Sequence, residues 1–321
     1  MLVCTIESYK GQRDLEGNRK DKRKMISITN YLENIYEDFK DEIDTGKCLC
    51  ELKDLRFDSN CIPDYSNEQI QRLYLLRYAF AYGFEYSHIY SKALSRLDNP
   101  TNVSVASIGC GNYLDYWSLI RTIEEKKKIN CSVRYVGIDQ IDWNYKFEKR
   151  PQDELLFSKG NAVQLFQRSK QFVSDIYFIP KSISEFSNAE MKIITDNIKR
   201  KSIIKDKIIL CFSIRANEYG RESDMAKTNQ IIQAFEENGY RQSSEKNTWW
   251  YFRENKGIIA FDSDFKFPQE AYNYVVNLNE KCYKYIENGI NCKEECIEYL
   301  NRKPITKTGI ITYRLIELER I

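Results

Sequence analysis

The stretch Val105-Ala106-Ser107-Ile108-Gly109-Cys110-Gly111 decides the fold of this chain. Its apolar first half predicts a short buried strand, and the two glycines after it allow a tight turn in which the backbone comes close to a ligand. Residues 113–128 then form an amphipathic segment. The free N–H groups at the start of this predicted helix face the same point. The pattern indicates a strand, a binding loop and a helix in direct succession.

An acidic residue closes the next predicted strand. This strand covers residues 131–138 and is followed by Asp139, which stands 139 − 109 = 30 positions after Gly109. A carboxylate at that point accepts hydrogen bonds from ribose hydroxyls. The third glycine of a dinucleotide site is missing, because Tyr113 and Leu114 occupy its place. The sequence therefore favours a nucleoside ligand without phosphates over a pyrophosphate on the helix N-terminus.

Short apolar runs alternate with amphipathic helices from residue 103 onward. This alternation predicts an α/β fold, with a parallel sheet covered by helices on both faces. Two helices, 27–43 and 66–97, precede the sheet, the second with Ser66 as its N-cap. The predicted strands are 103–108, 131–138, 154–157, 175–179, 207–214, 248–253, 257–261 and 309–319, and the later helices are 113–128, 162–172, 187–200, 223–238 and 269–288.

Composition limits the partners and the chemistry. With 49 basic and 47 acidic residues, the net charge of +2 excludes a strongly cationic coat for nucleic acid, although a nucleic-acid partner stays open. No apolar run approaches the ~18 residues of a membrane span, and Glu7 comes too early for a signal-peptide core of ~7–15 apolar residues. The single histidine, His88, excludes zinc sites built from two or three histidines. We expect a cytoplasmic protein without a membrane partner.

The ten cysteines are expected to be reduced thiols, because no secretion signal is recognisable. Neither of the two groups outside the predicted core strands has the paired spacing of a structural zinc site, so we expect no metal. An alternative in which both groups together supply thiolates to zinc or an iron–sulfur cluster stays open. The groups are Cys48, Cys50 and Cys61, and Cys282, Cys292 and Cys296.

The glycine loop and the segment Val136-Gly137-Ile138-Asp139 resemble the first two motifs of class I S-adenosylmethionine (SAM)-dependent methyltransferases. The resemblance covers about residues 100–321. It implies a Rossmann-like, seven-stranded methyltransferase sheet whose antiparallel last strand is 309–319, with a helical insertion at about 269–303. Residues 1–99 would then form a mainly α-helical N-terminal extension that caps this domain.

The same resemblance implies a set of cofactor contacts. The glycine loop would touch the methionine part of SAM, Asp139 would hold the ribose, and further residues would begin the adenine pocket. Many members carry an acidic residue where this chain has Ser107, so the contact to the SAM amino group is expected from Asp115. The implied cofactor-binding residues are Gly109, Cys110, Gly111, Asp115, Asp139, Gln140, Trp143 and Asn161.

Two segments are candidates for the acceptor side. Lys181, Ser182 and Glu185 follow the predicted fourth strand and are the candidate catalytic residues. In the helix before the sheet, tyrosines recur every four residues and form one slowly winding stripe. The stripe either packs this helix on the domain or, with Arg77, covers the pocket, in which case Arg77, Tyr78 and Tyr82 bind the acceptor. Its members are Tyr74, Tyr78, Tyr82, Tyr86 and Tyr90.

We therefore expect an enzyme that transfers a methyl group from SAM to an acceptor that the sequence does not identify. Residues 177–186 lack the acceptor tetrapeptide of exocyclic-amine nucleic-acid methyltransferases. An RNA, a nucleotide or a small molecule is favoured as acceptor. The alternative is a non-catalytic SAM- or nucleotide-binding module that regulates or scaffolds, including one on a ribonucleoprotein.

Overall fold

The computed structural model describes residues 27–43, 49–55, 63–98, 100–128, 130–168, 171–215, 218–243, 248–253, 266–288, 294–306 and 310–321. The predicted strand 257–261 and three of the grouped cysteines, Cys48, Cys61 and Cys292, lie outside these residues.

The strands form one large mixed sheet and one small sheet. In chain order they are β1 Asn102–Ile108, β2 Ser132–Asp139, β3 Glu154–Lys159, β4 Gln171–Phe172, β5 Ile176–Pro180, β6 Ser202–Ile203, β7 Lys207–Ser213, β8 Tyr240–Gln242, β9 Thr248–Arg253 and β10 Ile310–Arg320. The large sheet has the order β3-β2-β1-β5-β7-β10-β8, with β9 also paired to β10, and β4 pairs with β6 separately. In the large sheet, the five neighbouring strands β3, β2, β1, β5 and β7 run parallel, whereas β10 runs antiparallel to β7. This arrangement confirms the predicted α/β, Rossmann-like sheet with an antiparallel last strand.

The strand order fixes where a ligand can bind. From β1 the chain proceeds to β2 and β3 on one side, and later to β5 and β7 on the other. The crevice beyond the carboxyl ends of β1 and β5 is therefore the topological switch point, where open α/β sheets bind ligands. The central strand β5 is buried at every position, as expected for a strand covered by helices on both faces.

The helices surround this sheet. They are α1 Ile28–Ile43, α2 Glu68–Tyr74, α3 Phe80–Leu94, α4 Leu114–Glu125, α5 Ala162–Arg168, α6 Asn188–Arg200, α7 Glu218–Glu237, α8 Gln269–Val276, α9 Tyr283–Asn288 and α10 Glu294–Leu300. A π-helical turn, Leu75–Ala79, joins α2 to α3, so residues 68–94 form one rod about 40 Å long at ~1.5 Å per residue. Its N-cap is Asn67 and not Ser66, because Asn67 Oδ1 accepts hydrogen bonds from the N–H groups of Gln69 and Ile70.

The N-terminal helices share a core with the sheet. The buried side chains of α1 and α3 belong to the same hydrophobic cluster as those of β1 and β2. Helix α3 packs closely on α4, where Ser118 Oγ donates to the carbonyl of Gly83 at 3.1 Å. A Cβ atom on Gly83 would lie 3.2 Å from the Trp117 ring, so a small residue permits this approach. The domain boundary near residue 99 stays a prediction.

Two predicted helices are shorter than expected, and short strands were missed. Helix 162–172 ends at Arg168, and Gln171–Phe172 is the strand β4. Helix 269–288 breaks at Asn277, whose φ of −117° leaves the helical region, so α8 and α9 are separated by the 3₁₀ turn Leu278–Lys281. Strand β8 was not predicted, because three residues are too few to show a pattern. Among the described helices, none combines the length and the apolar character needed to cross a membrane.

Candidate functional site

Gly109 lies where three segments meet at the switch point. It adopts φ +76°, and its N–H donates to the carbonyl of Ile138 at 2.7 Å. A Cβ atom at this position would lie 2.5 Å from Ser182 Oγ, so no larger residue fits without moving its neighbours. Ser182 Oγ in turn donates to the carbonyl of Ile108 at 2.6 Å. The ends of β1 and β2 and the segment after β5 are thus fastened together.

Asp139 holds the other half of the glycine loop. Its Oδ2 accepts from the N–H of Gly111 at 2.8 Å, and its Oδ1 accepts from the N–H of Ile141 at 2.9 Å. The side chain is half-buried at the carboxyl end of β2, and burial raises the pKa of Asp139 above its ordinary value. Asp139 therefore fixes the loop geometry, and the residue stays partly accessible at the switch point.

Trp143 covers Gly111. A Cβ on Gly111 would lie 3.7 Å from Trp143 Cε2, and the ring centroids of Tyr65 and Tyr74 lie 5.0 and 5.4 Å from that of Trp143. Trp143 is only 6% exposed, and its Nε1–H finds no hydrogen-bond acceptor in the part of the chain that the structure describes. A buried donor without an acceptor costs about 1–3 kcal/mol, so this N–H is the kind of group that a ligand satisfies.

The structure divides the tyrosine stripe into two halves. Tyr86 and Tyr90 are buried and pack on Phe178 of β5, with centroid distances of 5.3 and 4.9 Å. Tyr78 and Tyr82 are only half-buried and stack on each other at 5.7 Å with planes 15° apart. Tyr74, also half-buried, lies 5.2 Å from Tyr78 and continues the row to Trp143. One half of the stripe packs the helix on the sheet, and the other half lines the crevice.

Glu185 stands out among the candidate catalytic residues. It ends the 3₁₀ turn Ser182–Glu185, which Lys227 of α7 holds by donating from Nζ to the carbonyl of Ser184 at 3.0 Å. Its side chain is exposed, although much protein surrounds it. Burial and the neighbouring charge of Asp139 raise the pKa of Glu185 to about 7. Burial and the Glu185 charge also hold the pKa of Tyr65 well above its ordinary range.

The other two candidates already have partners. Lys181 Nζ pairs with Glu85 Oε1 at 2.7 Å, donates to the carbonyl of Ile214 at 2.7 Å, and lies 5.4 Å from the centroid of Tyr82. The Ser182 hydroxyl already donates to the carbonyl of Ile108. The Glu185 carboxylate, in contrast, makes no hydrogen bond or ion pair with any residue in the described ranges.

The remaining implied cofactor residues are less favourably placed. Asp115 is 1% exposed and accepts hydrogen bonds from the hydroxyls of Tyr135 at 2.7 Å and Tyr90 at 3.1 Å, while burial raises its pKa to about 6. These contacts do not favour the expected role in holding an amino group. Cys110 is buried, and burial raises the pKa of its thiol. Gln140 is exposed.

Asn161 begins α5. Its side-chain oxygen accepts from the N–H of Val163 at 2.8 Å, which satisfies one of the free donors at the helix start. The residue is half-buried and follows β3, whose carboxyl end lies on the same edge of the sheet as that of β2. The role of Asn161 in an adenine pocket stays a proposal.

Arg77 is placed differently from the expectation that it faces an acceptor. Its side chain is fully buried, and its Nη2 donates to the carbonyls of Tyr299 at 2.6 Å and Leu300 at 2.8 Å. Burial lowers the pKa of Arg77 to about 10. The guanidinium thus sits at the carboxyl end of α10, where the helix dipole favours a cation. Arg77 joins α10 to the long helical rod.

The N-terminal helices also hold the loop after β2, a contact that the sequence does not reveal. Tyr31 of α1 donates to the carbonyl of Tyr145 at 2.7 Å and accepts from Asn112 Nδ2 in the glycine loop. Gln71 of α2 accepts from the N–H of Asn144 at 3.1 Å and donates to the carbonyl of Tyr65 at 2.6 Å. The aromatic cover over Gly111 therefore depends on both helices.

No group of three or more His, Cys, Asp or Glu side chains suited to a metal ion is found among the residues that the structure describes. Cys282 and Cys296 are buried. The prediction that no metal binds remains open, because half of the grouped cysteines fall outside those residues.

No protein-family model matches the sequence, and no curated protein matches it at a significant level. Solved structures of similar fold include the plantazolicin methyltransferase BpumL in complex with SAH, with 14% identity, coverage of 90% of this chain and 100% of that chain, and a TM-score of 0.39. Loganic acid methyltransferase with SAH has 9% identity, coverage of 76% and 94%, and a TM-score of 0.37. A SAM-dependent methyltransferase from Archaeoglobus fulgidus has 14% identity, coverage of 68% and 86%, and a TM-score of 0.33. Such distant likenesses carry no argument about activity, which has to be judged from the residues of this chain.

Proposed function

We propose that this protein is a methyltransferase that uses SAM as methyl donor. The observation that carries the proposal is the glycine loop at the switch point, whose Gly111 N–H is held by the carboxylate that ends β2. Loop, carboxylate and strand order together match a site for a nucleoside without phosphates.

The residues at the switch point fit this cofactor. Gly111 leaves room for close approach, since a Cβ there would meet only Trp143 at 3.7 Å, and the half-buried Asp139 is the acidic residue that would hold ribose hydroxyls. The buried Trp143 N–H needs an acceptor, which the carboxylate or a ring nitrogen of SAM would provide. These residues would hold the group, and the group when bound supplies a methyl on a positively charged sulfur.

The chain's own contribution is mainly positioning. A methyl on a sulfonium is already activated, so alignment and exclusion of water account for most of the catalysis. The row from Trp143 to Tyr82 provides an aromatic wall against water. Glu185, whose pKa lies at about 7, is suited to accept a proton from an acceptor near neutral pH.

Calorimetric titration with SAM and SAH, with NAD and ATP as controls, tests the cofactor assignment. We expect SAM and SAH to bind at micromolar concentrations and the phosphate-bearing nucleotides to bind at least about tenfold more weakly, a difference of ~1.4 kcal/mol. Failure of SAM and SAH to bind would refute the proposal. Binding without SAH formation over a broad acceptor panel would instead favour the non-catalytic module.

A further inference from the structure

We propose that the methyl acceptor is a cationic amine, bound between the half-buried tyrosines of the stripe and the Glu185 carboxylate. Tyr74, Tyr78 and Tyr82 of the long helical rod form one aromatic row with Trp143. The turn that carries Glu185 begins beside this row, because Nζ of Lys181, its N-cap residue, lies 5.4 Å from the centroid of Tyr82. The inference rests on the proposed function, because it names the substrate class of that same site.

The charge in the crevice favours a cation. Glu185 and Asp139 are both acidic, and the charge of Asp139 disfavours ionisation of Glu185. The cations around them already have partners. Lys146, whose charge acts on Asp139, pairs with Asp142, and Lys181 pairs with Glu85. Lys227 donates to the carbonyls of Ile183, Ser184 and Phe186. An anionic acceptor would therefore meet two carboxylates without a compensating cation from these residues, whereas an ammonium group would relieve their repulsion.

The aromatic wall favours the same kind of ligand. Tyrosine faces attract cations through the ring quadrupole when the charge lies within ~6 Å of the centroid. Lys181 Nζ already lies 5.4 Å from the centroid of Tyr82, so the stripe holds one ammonium group in the structure itself. The row extends from Tyr82 through Tyr78 and Tyr74 toward Trp143, and all three tyrosines are only half-buried.

Glu185 would also act as the base that accepts a proton from such an amine. The ammonium proton moves to a carboxylate oxygen of ionised Glu185, which leaves a neutral amine with a free lone pair on nitrogen. Formation of the new N–C bond is matched by cleavage of the sulfonium C–S bond, whose electron pair stays on sulfur. The products are an N-methylammonium, neutral SAH and a proton that Glu185 releases to solvent.

The pH dependence follows from the groups around Glu185. These are Asp139 at the end of β2, Tyr65 before α2, Tyr74 at the end of α2, Lys181 at the N-cap of the turn and Lys227 from α7. Burial and Asp139 raise the pKa of Glu185 to about 7, so the carboxylate becomes ionised between about pH 6 and 8. Amine binding should strengthen over that range, because only the ionised carboxylate attracts the ammonium group.

Three probes of similar shape and different charge test the inference. They are 2-phenylethylamine, 2-phenylethanol and 3-phenylpropionate, titrated calorimetrically into the full chain at pH 7.5, with saturating SAH and again without it. We expect the amine to bind at least about tenfold more tightly than the alcohol, and the acid to bind more weakly than both. Mass spectrometry after incubation with SAM is expected to show methylated amine and unchanged alcohol.

Two variants identify the group responsible. Glu185→Gln keeps the size of the side chain and should reduce the preference for amine over alcohol at least about tenfold, with loss of its rise between pH 6 and 8. Glu237→Gln, on the exposed end of α7, is the matched control and should leave all affinities unchanged. Equal binding of amine and alcohol by the wild-type protein, or an amine preference that survives Glu185→Gln, would overturn the inference.

The outcomes distinguish this inference from the proposed function. Titration with SAH alone measures the cofactor site, and its failure would overturn the proposed function without any reference to the amine. Normal binding of SAH together with no preference for the amine would overturn the inference and leave the proposed function standing.

Discussion

Replacing Gly111 by alanine separates what the fold requires of the glycine loop from what a ligand requires. Gly111 has φ +54°, and Gly239, in the turn between α7 and β8, has φ +85°. Alanine in this left-handed region costs about 1–2 kcal/mol. The added methyl would lie 3.7 Å from Trp143 at position 111, an ordinary contact, and would meet nothing within 4 Å at position 239. Both variants should therefore lose a similar free energy of unfolding.

Their affinities for SAH should differ. The methyl added at Gly111 would lie 3.8 Å from Trp143 Nε1, in the space where a ligand would reach that unsatisfied donor. We expect Gly111→Ala to weaken SAH binding at least about tenfold, or ~1.4 kcal/mol, and Gly239→Ala to leave it unchanged. Scanning calorimetry measures the stability of each variant, and titration calorimetry measures its affinity.

Gly109→Ala provides an upper reference for damage to the fold. Its methyl would overlap Ser182, which adds an overpacking cost of about 1–3 kcal/mol to the backbone cost. It should unfold at a lower temperature than either of the other variants. Equal SAH affinity of Gly111→Ala and Gly239→Ala would refute the assignment of the glycine loop as the cofactor surface.

Three further variants test other parts of the structure. Arg77→Ala should lower the free energy of unfolding by about 3 kcal/mol, measured by denaturant titration, because it removes two charge-assisted hydrogen bonds from a buried site. SAH affinity should stay unchanged. Weaker SAH binding at normal stability would instead show that Arg77 takes part in the pocket. Tyr31→Phe should lower the free energy of unfolding by about 1–2 kcal/mol and also weaken SAH binding, because the Tyr31 hydroxyl bridges Asn112 and Tyr145. Unchanged SAH affinity would show that α1 does not contribute to the cofactor site. The stability of Glu185→Gln relative to wild type should increase as the pH rises from 5 to 8. The reason is that a carboxyl whose pKa is raised from 4.5 to about 7 destabilises the folded wild-type protein once it ionises. The same dependence of stability on pH in both proteins would contradict the raised pKa.

The fold was largely readable from the sequence, because its signals are local. The strand, the two glycines and the following helix are adjacent in the chain, and the acidic end of β2 follows within one supersecondary unit. The four-residue repeat of tyrosines also placed Tyr78 and Tyr82 on one face of a helix. It did not show which part of that face meets the sheet, because the answer depends on contacts with Phe178 and Trp143.

The roles of Arg77 and Tyr31 could not be predicted, because their partners are distant in sequence. Arg77 lies 222 residues from Tyr299, and Tyr31 lies 81 residues from Asn112. Neither hydrogen bond leaves a periodic pattern in the sequence. The bond from Arg77 also ends on a backbone carbonyl, which every residue type provides, so the identity of Tyr299 gives no signal. The choice of Glu185 from the three polar residues after β5 likewise required knowing that Lys181 and Ser182 are already bonded.

The bond between Arg77 and the end of α10 has a consequence for biosynthesis. A ribosome that adds about 5–20 residues per second needs roughly 11–44 s to synthesise the 222 residues that separate Arg77 from Tyr299. Throughout that interval the guanidinium lacks the two carbonyls that it binds in the finished protein, and β7 lacks its antiparallel neighbour β10. The N-terminal helices therefore cannot bury this face during early translation, and the closing steps of folding wait for the last strand of the sheet. A nascent chain stopped before residue 299 should expose the surface of the helical rod around Arg77 to proteases and chaperones, whereas one that extends past residue 320 should protect it.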